Sequence, residues 1–141
     1  MKPATFLEFT ARLGIALTPA QRVLSLVEYD GVDPVDLPLE DRLLAAKMFG
    51  EDVERVPPLA REIVCEVIGA RSGKSWRSAI RLLHLALVVD CSRLAPGEQA
   101  FAIIVAPDMK TAGQELRYAC GAARADRHLA KLIVSEAGES F

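Results

Sequence analysis

The stretch Ile63–Ile80 reads I-V-C-E-V-I-G-A-R-S-G-K-S-W-R-S-A-I. An apolar run leads into Gly69-Ala70-Arg71-Ser72-Gly73-Lys74-Ser75, and an apolar pattern at helical spacing follows. This order narrows the chain's options more than any other segment does. It is the layout of a phosphate-binding loop between a strand and a helix. Backbone N–H groups can curl around phosphate oxygens only where no side chain blocks the approach, which is the role of glycine. A helix starting near Ser75 adds the positive end of its dipole. Lys74 then reaches the β- and γ-phosphates, and the Ser75 hydroxyl ligates Mg²⁺. The common spacing G-x-x-x-x-G-K-[ST] puts its first glycine where Ile68 stands; here the glycine comes one residue later, at Gly69. A plain glycine turn with a solvated lysine is the competing account. It leaves the meeting of Gly, Lys and Ser at a helix start without a reason.

A chain of 141 residues suggests one domain with room for a real core. Its charge is uneven. Residues 1–70 carry 7 basic and 12 acidic side chains, residues 71–141 carry 10 and 7, so a net of −5 is followed by +3. The acids gather between Glu28 and Glu54, without the spacing of a calcium loop, and read as a solvated face. Cys65, Cys91 and Cys120 are odd in number and widely spaced, which fits a reducing compartment and gives no metal-ligand pattern. No basic-then-apolar N-terminal signal is visible, and no apolar stretch reaches about 18 residues without charge. The expectation is a soluble, cytoplasmic protein with no membrane partner.

Along the chain, Phe6, Leu7, Phe9 and Leu13 have mixed helical spacing before Gly14. Thr18-Pro19-Ala20-Gln21 is a helix start, with Thr18 and Gln21 forming a capping box and Pro19 at the first helical position. That helix is predicted to reach about Tyr29. A second runs from about Leu39 to Phe49, ended by Gly50. Pro57-Pro58 marks a loop. Residues 62–68 read as a buried parallel-type strand. The helix 75–90 is apolar over most of its circumference, with Arg77 and Arg81 marking its wet side. Ala100–Ala106, A-F-A-I-I-V-A, is the second strong strand, stopped by Pro107; Asp108 or Thr111 caps a helix over about 110–123, and a short helix fits 125–132. Strand, helix, strand and helix over 62–123 predict a βαβ unit in an α/β fold with a parallel sheet. Ligands of such sheets sit at the carboxyl ends of the strands, where Gly69–Ser75 and Pro107-Asp108 fall.

The segments I-G-A-R-S-G-K-S-W-R-S-A and I-I-V-A-P-D-M-K-T-A-G-Q-E-L together resemble the N-terminal ATPase part of phage terminase large subunits, the motors that package viral DNA. The resemblance covers most of residues 17–141, with Gly69–Ser75 its specific part. It implies a RecA- or helicase-like P-loop NTPase core at 61–141, preceded by a helical N-terminal region at 1–60. It implies ATP and Mg²⁺ as cofactors, with Gly69, Ala70, Arg71, Ser72, Gly73, Lys74 and Ser75 around the phosphates and Ser75 on the metal. Arg71 matches the in-loop arginine of that family; it is either a γ-phosphate contact or a surface arginine beside an anionic ligand. L-T-P-A-Q-R at 17–22 resembles the adenine-contacting segment, with Gln21 as the contact, although Gln21 is equally explained as the capping-box partner of Thr18. The implied partners are double-stranded viral DNA, the portal and the small terminase subunit.

The departures point the other way. No apolar strand ending in Asp-Glu follows, so the acids that would hold Mg²⁺ and activate water are not supplied, and neither the coupling motif nor the nuclease is present. The reading is an N-terminal piece, or a truncated prophage product, that binds ATP without hydrolysing it alone and tends to associate with itself or a partner. The alternatives are a non-catalytic nucleotide-binding or interaction module and another helicase-like P-loop ATPase. His84 and His128 lack a nucleophile or ligand at useful spacing and read as structural; Trp76, directly after the loop, reads as core rather than as a base-stacking ring. Arg117, Arg124, Arg127 and Lys131 form either a track for DNA phosphates or a wet helix face.

Overall fold

The computed structural model describes residues 5–50, 52–60, 63–64 and 72–134. Among them the chain forms helices α1 (Phe6–Arg12), α2 (Pro19–Glu28), α3 (Leu39–Phe49), α4 (Lys74–Val88) and α5 (Met109–Ala125), with 3₁₀ turns at Pro34–Asp36, Val53–Arg55 and Leu129–Leu132. The chain divides into two compact units, Met1–Val67 and Ile68–Phe141.

In the first unit the helix starts follow local chemistry. The Thr18 hydroxyl accepts from Gln21 N at 3.3 Å, and Gln21 Oε1 accepts from Thr18 N at 3.0 Å. Thr5 and Glu8 make the same reciprocal box at the start of α1. A tertiary cap adds to it: the Asp30 carboxylate, from beyond the end of α2, accepts from Phe6 N at 2.7 Å and Leu7 N at 3.1 Å. An acid at a helix N-terminus satisfies orphan donors and meets the positive end of the dipole. Phe6 is wholly buried and meets Tyr29 edge-on, ring centroids 5.0 Å apart. Val23 and Val27 of α2 pack with Leu37, Ala45 and Val53 to form the core. The Arg22–Asp41 ion pair, 2.5 Å, joins α2 to α3 beside it.

Gly31 makes the corner after α2. Its φ is +68°, and an added Cβ would lie 2.5 Å from Ala60 N and 2.7 Å from Leu59 C. Both atoms are backbone, so neither can swing aside. Gly31→Ala is therefore expected to cost more than the ~1–2 kcal/mol of a left-handed alanine alone. The expected result is a lowered urea midpoint, whereas Gly14→Ala, at φ +69° with nothing within 4 Å, shows only the backbone term.

In the second unit α4 packs on α5, and the Leu129–Leu132 turn packs on α5. The buried faces hold Ala79, Ile80 and Leu83 of α4 and Ala119, Cys120 and Ala123 of α5, with Leu129 beside them. Small residues on such faces permit close helix approach.

Here the structure corrects the predicted fold class. The described residues contain no strand, and the expected parallel α/β sheet is replaced by packed helices. Residues 101–106 are neither helix nor strand, and Phe101, Ile103 and Val105 are 79%, 75% and 89% exposed. The local signal for a strand is strong there, but a strand exists only when a neighbour takes up its N–H and C=O groups. The partner expected at 62–68 lies largely outside the described residues; of the two that are described, Ile63 is 89% exposed in a bend. The wet side of α4 is corrected as well. Arg77 is buried, while Leu85 and Leu87 are exposed. The residues at Arg77, Ile80 and His84 recur at i, i+3 and i+7, a single stripe facing the core.

Candidate phosphate-binding site

The loop predicted to hold phosphate enters α4 through Gly73, the helix N-cap, at φ 78° and ψ 15°. That left-handed conformation is open to glycine at no steric cost. It turns the chain so that the helix begins at Lys74 with no side-chain cap. The first intrahelical bond runs from Arg77 N to Gly73 O at 2.9 Å. The donors of the first turn therefore point out past Gly73, Lys74 and Ser75, as anion binding at a helix start requires. No acidic side chain stands in that turn. Lys74 is exposed at the first helical position, and Ser72, Gly73 and Ser75 are half-buried. Gly69, Ala70 and Arg71 lie outside the described residues.

This donor set fits a phosphate: a left-handed glycine, a helix whose first turn carries no acidic residue of its own, a cation and a hydroxyl. Among the described residues no group of three or more His, Cys, Asp or Glu side chains is placed to hold a metal ion. Gln21 belongs to the first unit, where its amide is engaged in the Thr18 box.

The remaining candidates resolve into structural roles. Asp108 is the N-cap of α5: Oδ1 accepts from Thr111 N at 2.8 Å and Oδ2 from Thr111 Oγ1 at 2.9 Å. The bond from the Thr111 amide, with the hydroxyl second, holds the carboxyl below its ordinary pKa. A depressed carboxyl stabilises the fold fully above its ordinary value, and that contribution is lost as pH falls through the lowered one. Helix content is expected to drop below about pH 4, with Asp108→Asn flattening that part of the acid transition because asparagine caps without titrating. Circular dichroism across the acid range measures it. His84 is buried and lies 2.7 Å from Arg81 Nη1 through Nδ1. Guanidinium can only donate, so Nδ1 accepts in this contact. His128 is exposed, and Trp76 is half-buried rather than core. Burial pushes the Cys120 thiol up, away from nucleophile chemistry.

Sequence reasoning missed two features. The first is the buried Arg77, one turn into α4; its place in the stripe with Ile80 and His84 was the available signal. The second is a groove of about 1110 Å³ in the second unit, lined by Leu82, Leu83, Leu116 and residues 99–104 with Lys110 and Arg117. No linear pattern marks it, because residues 99–104 supply one wall. No helix among the described residues is long and apolar enough to cross a membrane.

No protein-family model, curated protein or solved structure matches this chain.

Proposed function

We propose that the chain binds the phosphates of ATP, with Mg²⁺, at the entry to α4, and that it serves as the nucleotide-binding front end of a terminase-like DNA-packaging ATPase. The observation that carries the reading is Gly73 in the left-handed conformation directly before Lys74 and Ser75 at an uncapped helix N-terminus. Backbone donors and the helix dipole hold phosphate oxygens there, and Lys74 offsets their charge. Bound Mg²⁺ would supply charge neutralisation between the phosphates. Ser75 is the residue of this chain that would meet it.

The resemblance to terminase large subunits adds the rest of the proposal. Double-stranded viral DNA, the portal and the small terminase subunit are the proposed partners, and the host-cell cytoplasm is the proposed location. No apolar segment ending in adjacent acids follows the loop in the sequence, so the chain is proposed to hold ATP without turning it over by itself. Titration with a fluorescent ATP analogue, with and without Mg²⁺, is the test. Saturable binding that ATP and inorganic triphosphate both displace is the expected result. Binding displaced by neither would sink the reading.

A further inference from the structure

The groove between α4, α5 and residues 99–104 has an apolar floor and two cations, Lys110 and Arg117, on its lining. These cations stand seven residues apart on α5, two helical turns or roughly 10 Å along one face. The first unit carries a surface of the opposite kind. On α3, Leu39 and Leu43 are 69% and 57% exposed, with Val35 just before the helix 38% exposed. Leu39, Leu43 and the half-buried Ala46 recur at i, i+4 and i+7, the anchor spacing of a helix that lies in a groove. Asp36 and Glu40 flank the stripe and are exposed, while the exposed Lys47 sits at its far end.

We infer that the chain self-associates by seating the α3 face of one copy, Leu39 and Leu43 with Asp36 and Glu40, in the Lys110/Arg117-rimmed groove of a second copy. Two independent observations meet in this pairing. An apolar stripe faces water where no local packing requires it, and large exposed apolar surface marks an interaction site. The acidic flank of the stripe also matches the basic rim of the groove, as it does on the scale of the whole chain, where residues 1–70 carry −5 and residues 71–141 carry +3. The groove is larger than a typical small-ligand pocket, ~300–1,000 Å³, which suits helix side chains. The two patches differ, so the contact is heterologous: reciprocated, it closes a dimer, and unreciprocated, it grows into rings or chains.

Sedimentation of the full-length chain over a concentration series tests the inference. The apparent mass is expected to rise above the 15.3 kDa monomer, less so at high salt because the rim charges are screened. Lys110→Glu with Arg117→Glu is expected to stay monomeric, and so is Asp36→Lys with Glu40→Lys. Mixing the two variants restores association, because one keeps the native stripe and the other the native groove. All four side chains are exposed, so folding should persist, as circular dichroism can verify. Should a reversed variant unfold, Leu43→Ala serves instead, with at least a tenfold loss of association expected. A wild-type chain that stays monomeric throughout overturns the inference, as does association untouched by these changes, or a mixture that fails to associate.

Discussion

Lys74→Ala is expected to weaken ATP binding to the intact chain by roughly tenfold or more. Lys74 occupies the first position of α4, exposed, directly after the left-handed Gly73. Its ammonium would be the one side-chain cation in the first three positions of the helix. A hydrogen bond to a charged group contributes about 1.5–3 kcal/mol, so its loss weakens binding by roughly 10- to 150-fold. A micromolar ligand would then bind at roughly 10–150 μM, a shift the same titration resolves. Alanine is the best helix former, so α4 keeps its circular-dichroism signal and the loss cannot be ascribed to unfolding. Ser75→Ala is expected to reduce only the Mg²⁺-dependent part of the affinity. If Lys74→Ala binds the ATP analogue as tightly as the parent, the phosphate does not sit at this helix start.

Phe6→Ala is expected to give the largest stability loss of any single truncation in the first unit, about 3–5 kcal/mol. Phe6 is wholly buried, its ring meets Tyr29 at 86°, and its amide donates to Asp30. Removing the ring leaves a cavity and takes away the contact that seats α1. The short helix Phe6–Arg12 cannot hold itself, since isolated helices below about 12 residues are marginal in water. Urea unfolding followed at 222 nm measures the effect. With a slope of about 1–3 kcal/mol per molar for small proteins, the midpoint falls by a molar unit or more. Phe6→Leu keeps most of the volume and recovers much of the loss. A midpoint unchanged by Phe6→Ala would mean that α1 contributes nothing to the core.

Where an element depends on its own neighbours in sequence, it was legible. Thr18, Pro19 and Gln21 announce the start of α2, and the structure puts the capping box there. Gly50 ends α3 with φ 97°, a conformation that suits glycine. Asp108 caps α5 as its position after Pro107 suggests. Gly73-Lys74-Ser75 marks the start of α4 and the candidate site together. Each rests on bonds between residues two to four apart, which the sequence displays directly. The sheet was misread because pairing is non-local. A-F-A-I-I-V-A carries the composition of a buried strand, and composition cannot supply the neighbour that makes one. Arg77 was misread for a related reason: arginine predicts water, but the stripe it shares with Ile80 and His84 turns it inward.

The sequence by itself therefore determined the start of α2, the end of α3, the cap of α5 and the glycine-lysine-serine corner, because caps, turns and left-handed glycines are short-range chemistry. Only the tertiary structure decided that α1 is held by Asp30 from 24 residues away, that Gly31 must pass against the backbone at Leu59 and Ala60, and that α4 and α5 pack on each other while Phe101, Ile103 and Val105 stay exposed. Those outcomes depend on which surfaces meet in space, and burial is settled by the whole arrangement rather than by any one segment.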